Sequence, residues 1–172
     1  QAGDIDVDGH TELDNVNIAG VTTFPNTGKV LIGTATEGHT GADDLTIATT
    51  GTTGITIRSG DTSNGNIYFS DATSGDGEYR GYVSYNHSDD SLKLGTGAAN
   101  RIIISGAGYV KIGTNVEGYA GAPNLTIADT GNCGVTIRSG ASNQGTIAFS
   151  DAESGAGEYD GFLQYSLSLI HI

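Results

Sequence analysis

The chain contains an internal repeat without insertions or deletions. Residues 28–86 recur as residues 108–166 at a constant offset of 80 positions, and 34 of the 59 aligned positions are identical. The matches include Thr56–Gly60 with Thr136–Gly140 and Phe69–Ala72 with Phe149–Ala152. A gapless repeat indicates one structural unit copied along the chain, with each copy supporting the next. Such chains usually serve length or display, and less often chemistry in a pocket.

Composition and periodicity together predict an all-β fold. The 172 residues include 28 glycines, and no segment has the 3.6-residue apolar period of a helix. Short β-branched segments separated by glycine-rich turns are typical of strands. The predicted strands of the first copy are Lys29–Ile32, Asp44–Ala48, Gly54–Arg58, Asn66–Ser70, Tyr79–Tyr85, Ser91–Leu94 and Arg101–Ser105. One of the predicted turns between them is Gly95–Gly97.

Three of these strands are predicted to stack with a ten-residue step. Ile47, Ile57 and Ile67 occupy equivalent places, as do Ile127, Ile137 and Ile147 in the second copy. Alternation assigns one face to apolar side chains and the other to polar ones. The predicted apolar face holds Leu45, Ile47, Ile55, Ile57, Ile67 and Phe69, and the opposite face holds Thr46, Thr56, Arg58, Asn66 and Tyr68.

A sheet with one thin apolar face has to cover that face. Aromatic residues make up only 7% of the chain, so few large side chains are available for a core. Three copies around a three-fold axis would pair the apolar faces and protect the edges. We therefore expect an elongated, repeat-built shaft of β-prism or β-helix type, with two tandem copies of an 80-residue unit, the second truncated. The alternative is a self-contained β-sandwich in each repeat.

The predicted organisation has four segments. Lead-in strands occupy 1–27, the first copy spans 28–107, the incomplete second copy spans 108–166, and 167–172 break the register. The chain has no methionine, so we expect it to be a piece of a longer protein. Leu167–Ile172 can be encoded by CTG TCT CTT ATA CAC ATC, which resembles a transposase-based sequencing adapter. Our hypothesis is that these six residues are non-native read-through; the alternative is a genuine terminal strand.

The charge balance limits the possible partners. Seven Lys and Arg residues against twenty Asp and Glu residues give a net charge of -13. Duplex nucleic acid and anionic membrane surfaces are therefore unfavourable partners. No apolar run of 18 residues occurs, so membrane insertion is not expected. Cys133 is the only cysteine, and Thr53 occupies its place in the first copy, so no intrachain disulfide is expected.

Several segments together carry a family resemblance. Asp6–Thr23 resembles stretches in structural proteins of tailed bacteriophages of marine cyanobacteria. Gly65–Asp71, Gly77–Ser88, Ser91–Thr96 and the segments around Arg101 and Gly108–Thr114 are similar to units of tail-fibre shafts. The resemblance implies a trimeric, elongated virion fibre, extracellular, that adheres to a host surface and has a host-surface glycan as a possible partner. Such fibres often carry a C-terminal self-cleaving chaperone, but its cleavage residues have no counterpart here, so no autoproteolysis is assigned.

Two groups of residues are candidate metal ligands. Asp4, Asp6 and Asp8 followed by Gly9 match the opening of a calcium loop, but Asn15 stands where a bidentate Glu is needed. A strand with one acidic face explains the same spacing. His10, His39 and His87 have no partner at ligand spacing, and only a three-fold axis would bring copies of one His together. We expect no metal and no cofactor.

Catalysis is not expected. Ser70 and Asp71 with His87, or Glu78 with Asp89 and Asp90, are the only nominal hydrolase sets, and no nucleophile elbow accompanies them. Glu78 and its counterpart Glu158 are predicted to lie in a glycine-rich turn. A fibre-borne polysaccharide depolymerase remains an alternative function.

Two side-chain arrays offer binding alternatives. Tyr79, Tyr82 and Tyr85, which return as Tyr159, Phe162 and Tyr165, could form a sugar-stacking platform, although core packing is the favoured interpretation. Alternation predicts that Tyr79 and Tyr85 share a face. Outward threonines at a fixed step could bind ice, which makes an antifreeze solenoid an alternative, although ordinary β-propensity is the simpler explanation for them. These threonines are Thr46, Thr56, Thr126, Thr136 and Thr146.

Overall fold

The structure is a computed structural model that describes residues 28–166 and shows a mostly β chain. The strands are β1 (Val30–Ile32), β2 (Leu45–Ile47), β3 (Asn64–Phe69), β4 (Gly81–Asn86), β5 (Ser91–Thr96), β6 (Ala99–Ile104), β7 (Val110–Ile112), β8 (Leu125–Ile127), β9 (Gln144–Phe149) and β10 (Gly161–Ser166). Single 3₁₀ turns lie at Gly75–Tyr79 and Ala156–Tyr159. The all-β prediction is confirmed. The predicted lead-in strands at 1–27 and the segment 167–172 lie outside the described residues.

The chain divides into two compact units between Thr56 and Ile57. In the first unit, β1 and β2 form a parallel pair in which Val30 is opposite Leu45. Gly33 ends β1 with a φ of +73°, and a Cβ there would lie 2.5 Å from the carbonyl oxygen of Ala48. Only glycine fits this approach, because both the dihedral and the space exclude a side chain.

The second unit contains a six-stranded sheet in the order β3-β4-β5-β6-β7-β8. Strands β3 to β7 form an antiparallel meander, and β8 pairs with β7 in parallel. In that pair Val110 is opposite Leu125, the same register as Val30 with Leu45. The second copy of the sequence thus forms the same local pairing at the same positions.

A separate hairpin of β9 and β10 completes the second unit. Phe149 is opposite Gly161, which repeats the pairing of Phe69 with Gly81 in β3 and β4. In both hairpins the connection includes a 3₁₀ turn, and the Ser70 or Ser150 hydroxyl at its start donates hydrogen bonds to two carbonyl groups of that connection.

The turn between β5 and β6 is displaced from the predicted Gly95–Gly97. Gly95 and Thr96 belong to β5, and the turn residues are Gly97 and Ala98, with φ of +60° and +57°. Two successive positive φ values are the mark of the type I′ turn that suits a two-residue hairpin loop.

One predicted strand does not form. Gly54–Arg58 makes no ladder with a neighbour, although its alternation is typical of a strand. Ile57 lies instead over Gly65, where a Cβ would come within 3.4 Å of its Cγ2 atom, and Ile137 repeats this contact over Gly145. The predicted ten-residue step across Ile47, Ile57 and Ile67 is therefore wrong, because a strand needs a paired neighbour as well as a period.

The described residues hold almost no hydrophobic core. Ile103 is the only buried hydrophobic residue among 28–166. A self-contained sandwich would bury many large apolar side chains, so that alternative does not describe this part of the chain.

The other predicted strands are found, with boundaries shifted by up to a few residues.

Candidate functional site

The six-stranded sheet has two chemically different faces. On one face, which we call the apolar face, the register aligns two rows of side chains across the strands. The first row is Ile67, Val83, Leu94, Ile102, Ile112 and Ile127, and the second is Gly65, Tyr85, Leu92, Ile104, Val110 and Leu125. Every side chain in these rows is exposed or half-buried, and none carries a charge.

The opposite face, the polar face, carries a groove of about 260 Å³. It is lined by Asn64, Asn66, Tyr68, Tyr79, Tyr82, Ser84, Lys93, Ala98 and Asn100. The chain has twenty acidic residues, yet none of them lines this groove, which includes one lysine. We call this depression the tyrosine groove.

A glycine and a bulge build the floor of the tyrosine groove. A Cβ on Gly95 would lie 2.1 Å from ring atoms of Tyr82, so the ring rests directly on the glycine backbone. The register of β5 and β6 shifts between Leu94 and Gly95, so that Leu94 faces Ile102 while Gly95 faces Asn100. The bulge turns Asn100 to the polar face, where its Oδ1 accepts a hydrogen bond of 2.6 Å from the Tyr82 hydroxyl.

Hydrogen bonds also order the neighbouring side chains. The hydroxyl of Ser84, which is 6% exposed, donates to Oδ1 of Asn66 at 2.6 Å. The rings of Tyr68 and Tyr79 lie 6.2 Å apart at 49°. Asp76 accepts a hydrogen bond from the Tyr79 hydroxyl, and this contact raises the pKa of Tyr79. The groove therefore presents two exposed aromatic rings beside fixed amide groups.

A second depression of about 490 Å³ shares Lys93 and Asn100 with the tyrosine groove and extends to Lys111, Asn115 and Glu117. Lys111 Nζ lies 3.4 Å from the carbonyl oxygen of Asn115 and 4.0 Å from the Glu117 carboxylate. Asp89 also lines this depression and accepts hydrogen bonds from the Ser91 hydroxyl and backbone, and these contacts lower the pKa of Asp89. The polar face thus carries a continuous polar trough.

The nominal catalytic residues have local structural partners. Ser70 donates to the carbonyl oxygens of Ala72 and Gly77, as a turn residue does. Glu78 lies in the 3₁₀ turn, as predicted. Asp90 accepts from the Tyr85 hydroxyl, a contact that raises the pKa of Tyr85.

The predicted metal candidates are only partly within the described chain. Asp4, Asp6, Asp8 and His10 lie outside it. Nδ1 of His39 accepts a hydrogen bond from the Gly41 amide, and the His87 ring packs edge-on against Tyr85 at 4.9 Å. Within 28–166, no group of three or more potential ligands could hold a metal ion.

The tyrosines are arranged differently from the prediction. Tyr79 lies in the 3₁₀ turn and lines the groove with Tyr82, whereas Tyr85 lies on the apolar face. The prediction that Tyr79 and Tyr85 share a face is wrong, because the turn breaks the alternation before β4 begins. In the single chain Tyr79 and Tyr85 are each 38% exposed, so neither is packed in a core of its own chain.

The predicted threonine array does not form a flat ladder. The hydroxyls of Thr46 and Thr126 accept hydrogen bonds from the Gly38 and Gly118 amides of the preceding connections. Thr56 and Thr136 lie outside strands. Two of the five threonines are thus used to tie connections to the sheet.

Sequence reasoning missed Lys93 and Asn100 as site residues. It assigned Tyr68 to the polar side of its strand but gave it no role in a site. Asn100 has the parity of Ile102 and Ile104, so alternation alone puts it on the apolar face. The sequence did contain one signal for this site. Gly95 is a glycine within a strand-like segment, and the neighbouring strand carries the aromatic residue Tyr82; a glycine in a strand often marks a bulge or the close approach of another group.

No family model matches the sequence, and no curated protein shows significant similarity to it. Among the residues described, there is no helix with the length and apolar character needed to cross a membrane.

Proposed function

We propose that this chain is a non-catalytic shaft segment of a tail fibre, or of a related virion adhesin, that assembles as a homotrimer and positions contacts with a host-surface glycan. The observation that carries the proposal is the apolar face, which spans six strands and stays open in the single chain.

The apolar face has the properties of a surface that is covered in the assembled protein. Ile67 is 48% exposed, Leu94 40% and Leu125 57%, although side chains of this kind gain about 1.5–3 kcal/mol each when fully buried. The face bears no charge, so copies with a net charge of -13 can bring these faces together without direct repulsion. A contiguous apolar surface of this kind is typical of an interaction site.

A three-fold arrangement suits this face and the repeat. A three-fold axis pairs three equivalent faces in a closed assembly and leaves no unmatched surface. Repetition of the unit along that axis would extend the shaft as a β-prism or β-helix, and the resemblance of the sequence to tail-fibre shafts supports the same arrangement. Three chains would present each weak receptor contact three times, so avidity would multiply the affinity.

The test places a lysine on each side of one strand. Ile67 lies on the apolar face and its neighbour on β3, Tyr68, lies on the opposite face, and both are exposed. Light scattering of the unaltered chain should give three times the chain mass of 17.5 kDa. Ile67→Lys should shift that mass toward a single chain, because it buries an unpaired charge in the interface.

Tyr68→Lys is the matched control and should keep the trimeric mass. A cooperatively folded, monodisperse single chain from the unaltered protein would overturn the proposal. Equal effects of the two lysines would show that the apolar face is not the contact surface.

A further inference from the structure

We propose that the tyrosine groove is a binding site for an acidic oligosaccharide, with a pyranose ring against Tyr68 and Tyr79 and a uronate carboxylate beside Lys93. The inference names a ligand class for the host-surface contact and in that respect rests on the proposed function. Its physical basis is the groove itself.

The aromatic rings supply the stacking surface. Tyr68 is 55% exposed and Tyr79 38% exposed, so both rings are accessible to a ligand. Their mutual tilt of 49° forms an open angle above the polar face and not a closed stack. Tyrosine combines a large rigid apolar face with a polar hydroxyl, which suits a sugar ring with C–H groups on one side and hydroxyls around its rim.

The polar groups of the groove are mainly donors. Oδ1 of Asn66 and Oδ1 of Asn100 already accept hydrogen bonds from Ser84 and Tyr82. Their Nδ2 groups make no hydrogen bond with protein inside the described range and so remain available as donors. Lys93 adds a cation whose nearest carboxylate, on Asp89, is 4.0 Å away. A donor-rich groove without an acidic lining residue selects a ligand rich in acceptors and negative charge.

The length of the trough favours a chain of sugar units over a single one. Asn66, Ser84, Lys93, Ile103 and Lys111 form one row across β3 to β7. Four strand spacings of about 4.8 Å span roughly 19 Å. Lys111 at the far end of this row is buried and faces the Glu117 carboxylate at 4.0 Å, so the uronate contact is assigned to Lys93.

The second copy lacks this site although it keeps the hairpin. Ala148 replaces Tyr68 and Phe162 replaces Tyr82, so one stacking ring and the hydroxyl that holds an amide are absent. Tyr68→Ala therefore introduces a residue that the same hairpin already carries in the other copy. This substitution removes the ring at little risk to the fold.

The experiment titrates the full chain with hexagalacturonate and, separately, with cellohexaose, by calorimetry. Saturable binding of hexagalacturonate is expected, and it should weaken as salt rises because Lys93 contributes a screened charge contact. Tyr68→Ala should reduce the affinity by about tenfold while keeping the salt dependence. Lys93→Gln should reduce both the affinity and its salt dependence.

Tyr119→Ala is the matched control, because Tyr119 is 81% exposed and lies outside the groove. Its binding should equal that of the unaltered chain. Absence of saturable hexagalacturonate binding, equal losses in Tyr68→Ala and Tyr119→Ala, or equal affinity for cellohexaose would each overturn the acidic-glycan site. The light-scattering mass tests the trimeric shaft independently of glycan binding. A trimer that binds no glycan would contradict only the acidic-glycan site, and a monomer that binds glycan would contradict only the trimeric shaft.

Discussion

The hairpins β3–β4 and β9–β10 have the same register, but their residues are nearly identical on one face and entirely different on the other. On the apolar side, five of the six positions are identical between the copies, and the sixth changes Val83 to Leu163. On the polar side, all six positions differ. These pairs are Asn64 and Gln144, Asn66 and Thr146, Tyr68 and Ala148, Tyr82 and Phe162, Ser84 and Gln164, and Asn86 and Ser166. This difference is expected from the proposed assembly, in which packing requirements act on the apolar side while the polar side is free to acquire separate contacts.

The parallel pairs β1–β2 and β7–β8 show a second contrast. In the first, Lys29 Nζ contacts Asp43 and Glu37 at 2.6 Å each. In the second, Tyr109 and Pro123 replace Lys29 and Asp43, and the cation is Lys111, two positions further along the same side of the strand. It lies 4.0 Å from Glu117, the counterpart of Glu37. In both copies a lysine on the same side of the first strand faces the segment that connects the two parallel strands, although the lysine stands at a different position in each copy.

The largest effect is expected at the glycine that both parallel pairs retain. A Cβ on Gly113 would lie 2.3 Å from the carbonyl oxygen of Ala128, and its φ is +75°. Gly113→Ala should lower the free energy of unfolding by more than about 2 kcal/mol, because dihedral strain and a backbone clash add. Gly108→Ala has a similar φ of +82° but open space, so it should cost only about 1 kcal/mol. If Gly113→Ala and Gly108→Ala lose the same free energy of unfolding in denaturant titrations, the close approach of Gly113 to the Ala128 carbonyl oxygen does not contribute to the loss.

A smaller effect is expected when polar-face residues are exchanged between the hairpins. In the second hairpin, Gln164 Nε2 donates to Gln144 Oε1 at 2.6 Å, so Gln164 takes the place of the Ser84 contact with Asn66. Ser84→Gln alone should cost about 1 kcal/mol, because Asn66 loses its donor in a crowded site. The triple change Asn64→Gln, Asn66→Thr and Ser84→Gln should return to within about 0.5 kcal/mol of the unaltered chain. If the losses in free energy of unfolding from the single substitutions simply add in the triple variant, the polar-side residues cannot be exchanged between the hairpins as a group.

The smallest effect is expected from pH, and it concerns the ion pairs of Lys29, of which the pair with Asp43 has no counterpart in the second copy. Asp43 and then Glu37 raise the pKa of the Lys29 ammonium above its ordinary value. A raised pKa in the folded state means that this contribution to stability is fully present below the unfolded pKa and is lost as pH rises through the folded value. The protection factors of the β1 and β2 amides, which correct for the intrinsic rise of exchange with pH, should therefore fall in alkaline solution. Asp43→Asn should lower the Lys29 pKa, as the ¹³Cε shift would report, and an unchanged titration would contradict the pairing.

Much of the strand pattern was predictable because it depends on local properties. Alternation and β-branching located β3, β5 and β6, and the repeat located β9 as the counterpart of β3 in the second copy. The same reasoning failed at Gly54–Arg58, since no neighbouring strand is placed to pair with that segment. It failed at Tyr79 because a 3₁₀ turn interrupts the period before β4.

By itself, the sequence determined an all-β chain with one apolar and one polar face, since side-chain alternation and glycine-rich turns act over a few residues. Only the tertiary structure decided the tyrosine groove. A bulge at Gly95 reverses the side of Asn100, and the bare backbone of that glycine receives the ring of Tyr82 from the next strand. These events depend on which strands meet and in what register, and the register of a hairpin is set by its turn geometry and by the hydrophobic pattern of both strands together.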